Sequence, residues 1–92
     1  MSQVVESGTP INLAATGTIS KVSGVLFGFY VNSTTNGTVV FRVGSDGTSS
    51  GTVVSGTITP AIGFHRFPAY CPGGAHVTIA NTLDATFFFA AG

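Results

Sequence analysis

Charge is what this chain has least of. Lys and Arg number three and Asp and Glu three in 92 residues, so 7% of the sequence is charged and the formal net charge is zero. An ordinary soluble domain carries about 25%. The charged residues are Glu6, Lys21, Arg42, Asp46, Arg66 and Asp84. A free monomer relies on charge to stay apart from its copies. A surface of Thr, Ser, Gly and Asn points instead to one that neighbours cover. The same lack leaves no basic track for a phosphate backbone, so no direct nucleic-acid partner is expected. Cysteine is limited to Cys71, which excludes an intrachain disulfide and the disulfide-stapled class of small secreted domains. Tryptophan is absent. No apolar run approaches the roughly 20 residues that cross a bilayer as a helix, so no membrane partner is expected. Residues 1–12 hold no basic segment followed by an apolar one, so no secretory leader is expected either.

Helical spacing of apolar residues is missing too; no segment keeps it for three turns. What is present is Thr, Val, Phe, Ile and Gly, the composition of strands and turns. Turn signals recur at Gly8-Thr9-Pro10, Ser23-Gly24, Asn36-Gly37, Asp46-Gly47, Thr59-Pro60, Pro72-Gly73-Gly74 and Asn81-Thr82. Short strands punctuated in this way predict an all-β fold, a small antiparallel β-sandwich or jelly-roll-like barrel of about seven to eight short strands. The length allows one domain. Residues 11–92 form it, and residues 1–10, the least patterned, read as an N-terminal arm that orders against a neighbour.

Period-two alternation places the strands. Residues 21–32 put Val25, Phe27, Phe29 and Val31 on a core face, opposite Leu26, Gly28 and Tyr30. Residues 38–43 put Val39, Phe41 and Val43 opposite Thr38, Val40 and Arg42, and Ser33-Thr34-Thr35-Asn36-Gly37 joins the two as a hairpin. A polar loop spans 44–51, and 52–58 is a further strand. Pro60 ends pairing. Residues 64–71 resume it, with Phe64, Arg66 and Pro68 opposite His65, Phe67 and Ala69. Two last strands, 75–80 and 85–90, flank a turn at 81–84. Phe87-Phe88-Phe89 must point to alternating faces, so Phe88 faces outward and carries about 150–250 Å² that a second layer or a partner subunit would have to bury.

Candidate chemistry is sparse, and the chain is read as a non-enzyme. His65-Arg66 could hold a carboxylate but reads better as part of a subunit interface or a loop cap. His65 and His76 lack a third ligand at metal-site spacing. Cys71 lacks a base to activate it and reads as a small buried hydrophobe. Asp46 and Asp84 read as turn residues, and Ser45-Asp46-Gly47 alone is too little for calcium. No catalytic residue, metal or cofactor is expected. Asn32-Ser33-Thr34 and Asn36-Gly37-Thr38 match the glycosylation pattern, but without a leader they read as turn chemistry.

Four stretches carry a resemblance: Val25-Leu26-Phe27-Gly28-Phe29-Tyr30-Val31-Asn32-Ser33-Thr34; Gly37-Thr38; Gly56-Thr57-Ile58-Thr59-Pro60-Ala61-Ile62-Gly63-Phe64-His65; and Asp84-Ala85-Thr86-Phe87. Together they resemble a group of small tailed-bacteriophage proteins, over roughly residues 20–90. The shared features are a strand ending in an Asn-Ser-Thr turn, a Gly-Thr-Ile-Thr-Pro-Ala segment and a final strand rich in Thr and aromatics. Such proteins are similar to the β-sandwich decoration, or cement, proteins of icosahedral heads. The resemblance implies a virion protein on the capsid surface, made in the host cytoplasm. Its partners would be the major capsid protein and copies of itself in a homotrimer. The residues expected at the partner interface are Tyr30, His65, Arg66, Phe67, Tyr70 and Phe88. The alternative is a receptor- or glycan-binding module of a fibre or tail tip, built on Tyr30, Tyr70, Asn32 and His65; the absence of Trp counts against it.

Overall fold

In a computed structural model that describes residues 9–92, the chain is all-β and antiparallel. Its strands are β1 (Thr9–Leu13), β2 (Gly17–Ser20), β3 (Gly24–Val43), β4 (Thr52–Val53), β5 (Gly63–Cys71) and β6 (Ala75–Ala91), with one 3-10 turn at Ser45–Gly47. Two long strands organise the molecule. β3 and β6 pair along their whole lengths, from Gly24↔Ala91 to Val43↔Ala75. β1 and β5 flank one half of this ribbon, giving the order β1-β6-β3-β5, while β2 and β4 flank the other half as β2-β6-β3-β4.

The ribbon folds back on itself. Phe29 and Phe41 lie twelve positions apart on β3, about 40 Å if the strand ran straight, yet their ring centroids are 5.5 Å apart. The two halves therefore face each other as layers. Phe29 and Phe87 of the first layer meet Phe41 of the second, and Leu26, Val31, Val39, Val77, Leu83, Ala85 and Phe89 complete a dry core. The bend has identifiable causes. Pairing slips at Val31/Ser33 and at Thr35/Asn36, and such bulges kink and twist a ribbon. Asn36 and Asn81 adopt left-handed backbone with φ of 54° and 61°, and the Asn81 side chain donates to the Asn36 carbonyl at 2.8 Å. Gly37 sits in the crease, where a Cβ would come within 2.5 Å of Leu83 Cβ.

Several sequence expectations change here. Six strands among the described residues replace the seven to eight expected, because residues 33–37 and 81–84 do not reverse the chain; they are where β3 and β6 bend. Asp84 accordingly lies within β6, opposite Ser33, and not in a turn. The expected strand over 52–58 is regular only at Thr52–Val53. At Ser55 the side-chain hydroxyl, not a backbone carbonyl, accepts the Phe41 N–H at 2.9 Å, and strand pairing returns only as the single bridge Val39↔Ile58. On β3 a bulge between Leu26 and Gly28 shifts the alternation. Leu26, Phe29 and Val31 are buried, whereas Val25 and Phe27 are only half-buried. β1 and β2 are strands beyond those the alternation predicts, although Ile11, Leu13 and Ile19 alternate with polar residues there. Thr9 and Pro10, placed in the arm, open β1; the rest of the expected arm lies outside the described residues.

Candidate interaction face

Directly paired residues in an antiparallel sheet project to the same side, so the pairing register defines the outer face of the first layer. One row runs Asn12, Thr86, Tyr30 and Phe64 across β1, β6, β3 and β5. The next runs Pro10, Phe88, Gly28 and Arg66, and a third holds Ala90, Val25 and Tyr70. Tyr30, Phe64 and Tyr70 stay 44%, 52% and 61% exposed. Phe88 is half-buried because Phe64 leans onto it, ring centroids 6.1 Å apart. Gly28 permits this contact. A Cβ there would lie 2.4 Å from the His65 carbonyl oxygen and 3.0 Å from the tip of the Phe64 ring. The glycine thus leaves a notch in the strand that the aromatic ring of its neighbour fills.

Of the residues expected at a partner interface, Tyr30, Arg66, Tyr70 and Phe88 share this face. His65 and Phe67 do not, because they occupy the other phase of β5. The His65 ring packs on Phe29 at 5.2 Å, and its Nε2–H donates to the Ala61 carbonyl at 2.7 Å. Phe67 stacks on Phe41 at 4.7 Å. Both support the layer from beneath. Phe64 was missed, although its alternation with Arg66, Pro68 and Tyr70 places it outward.

A polar corner adjoins the aromatic rows at the bend. The Asn12 amide donates to Asp84 Oδ1 at 2.8 Å, to Thr86 Oγ1 at 3.2 Å and to the Ala85 carbonyl at 3.2 Å. The Asn32 amide donates to the same Asp84 oxygen at 3.1 Å and to Thr86 Oγ1 at 3.2 Å. Hydrogen bonds from Asn12 and then Asn32 hold the Asp84 carboxyl below the usual carboxylate range, since they favour the charged form.

The outer face of the second layer is partly covered at its Arg42–His76 end, while Val53, paired with Arg42, stays 47% exposed there. The loop after β3 lies over it: Thr18 Oγ1 donates to the Gly47 carbonyl at 2.7 Å, and Arg42 donates to the Gly51 carbonyl at 3.2 Å. Beneath the loop His76, opposite Arg42 on the ribbon, is 5% exposed. Its pKa is lowered by burial and by the neighbouring Arg42 charge. His76 Nδ1 and Arg42 Nε have no hydrogen-bond partner among the described residues.

No centre for covalent or metal chemistry emerges among the described residues. His65 and His76 sit on different layers, and no three of His, Cys, Asp and Glu come together. Cys71 is buried, and desolvation raises its thiol pKa, which keeps it protonated and unreactive. The described surface holds no enclosed pocket, and no helix is long and apolar enough to cross a membrane. No family model, curated protein or solved structure matches the chain.

Proposed function

We propose that the chain is a structural subunit of a bacteriophage virion, a decoration protein that binds the outside of an icosahedral head and stabilises it. The observation that carries this reading is the asymmetry of the two outer faces. One is partly covered by its own loop, and the other presents Tyr30, Phe64, Tyr70 and Phe88, with Arg66 and, at its corner, Asp84 as its charged side chains among the described residues. The scarcity of charge and the resemblance over residues 20–90 support it as well.

Four strands of this length present about 500 Å² on one side. A standard specific interface buries about 800 Å² per partner, so one such contact alone is weak. Repetition supplies the rest: a homotrimer engaging the major capsid protein at several points gains from each contact made at high effective concentration. Its work is mechanical. Each copy bridges neighbouring shell subunits and raises the cost of separating them. No step of catalysis is involved.

The test is co-sedimentation with empty heads. The wild-type chain is expected to bind, and a double variant, Phe64→Ser with Tyr70→Ser, to lose about tenfold or more in affinity, with its urea midpoint lowered only through the lost Phe64–Phe88 contact, since both side chains are otherwise exposed. A chain that stays monomeric in analytical ultracentrifugation and leaves the heads unbound overturns the reading.

A further inference from the structure

The polar corner of the open face has features that docking through the aromatic rows does not use. Four side chains from three strands, Asn12, Asn32, Asp84 and Thr86, are fixed there by hydrogen bonds. Exposed polar residues seldom order one another this fully, since an exposed charged pair contributes little to stability. The pattern of the bonds also has a direction. Both amide groups spend their N–H donors on Asp84, Thr86 and Ala85. Asp84 Oδ2 and the side-chain oxygens of Asn12 and Asn32 take no part in these bonds, so three acceptors are left at the corner, with the Thr86 O–H as a donor beside them. Beside them, one position along the same row, stands Tyr30, and next to it Phe64. Neighbouring strands lie about 4.8 Å apart, a spacing close to the width of a sugar ring.

We propose that this corner is a saccharide-binding site, in which vicinal hydroxyls of a hexose donate to the Asp84 carboxylate and the asparagine oxygens while the apolar C–H face of the ring lies on Tyr30. Three acceptors held apart in fixed positions, one charged and two neutral, match a row of hydroxyl donors. A cation would draw its affinity from several acidic groups. Among the described residues there is one here, already carrying two amide donors, and Asp46 belongs to the loop on the other layer. The site is shallow, so its affinity depends on the ring contact and on repeated copies. The inference does not rest on the decoration reading, and its test needs no capsid.

The full-length chain is screened on an array of neutral and acidic oligosaccharides, and the saccharide that binds is titrated against the 15N-labelled protein. Reproducible binding is expected, with shifts centred on the Asn12 and Asn32 side-chain amides and on Tyr30. Tyr30→Ala and Asp84→Asn should each weaken it about tenfold. The second substitution preserves an acceptor oxygen for both amides, so it tests the charge without dismantling the corner. Val53→Ser, an exposed position on the other layer, should bind as the wild type does. An array with no bound saccharide overturns the proposal, as does binding that survives both Tyr30→Ala and Asp84→Asn. Shifts at these residues with arginine amide, and none with any saccharide, overturn it in favour of a cation site.

Discussion

Gly28 shows how much a single position can settle in a sheet this small. A mid-strand glycine ordinarily weakens pairing. Here it is required from two directions: the carbonyl of His65 occupies the space a methyl group would need, and the Phe64 ring covers the notch. The ring can swing away, but the carbonyl is backbone in the β3–β5 ladder and cannot. Gly28→Ala is therefore expected to destabilise the fold by about 1–3 kcal/mol, the usual cost of overpacking, as measured by urea unfolding, and to separate Phe64 from Phe88. A glycine in mid-strand marks a bulge or a close backbone approach, and the structure contains both at Gly28. The identity of the approaching group was not legible, because His65 comes from a strand distant in sequence.

At the scale of elements, the edges of the open layer are blunted and its face is not. β1 carries Pro10; β5 carries Arg66, Pro68 and a bulge where pairing jumps from Arg66 to Ala69. Proline, charge and bulges are the devices that keep a strand edge from recruiting another chain. Association through faces is thereby favoured over edge-to-edge pairing. Pro68→Thr restores a backbone donor at a solvent-facing position. It is expected to change stability by less than about 1 kcal/mol and to raise the sedimentation coefficient with protein concentration, where the wild-type chain shows no such edge-driven growth. Element type was legible wherever alternation ran unbroken: β5 follows period two throughout, and Phe88 lies outward between two buried neighbours. Direction was not legible. Asn-Gly at 36–37 is a strong hairpin signal, yet the chain runs on through it, because the reversal a hairpin provides is supplied instead by β6 returning alongside after the whole of β5. The polar corner was hidden for the same reason. Asn12, Asn32 and Asp84 are far apart in sequence and meet only through this pairing.

For the whole molecule, acid is the informative stress. The fold disfavours protonation of His76, whose pKa is lowered by burial and by Arg42. The unfolded chain takes up that proton below about pH 6.5, so stability falls as pH drops through this range and levels off below the folded value. Asp84 acts in a second window. Its carboxyl is held low by Asn12 and Asn32, so its contribution is present above about pH 4 and is lost as pH falls through the folded value. His76→Phe is expected to flatten the first decline between pH 7 and pH 5 and to leave the second, as read from urea midpoints across pH. An unchanged profile would mean that His76 is not the group responsible.

The two layers have their longest strands in common, which leaves the molecule without a seam. In a sandwich closed only by side chains, one leaf can peel from the other while each keeps its hydrogen bonds. Here, peeling has to straighten a continuous pair of backbones at the crease, so a tug on the aromatic leaf is transmitted through covalent bonds to the leaf behind it.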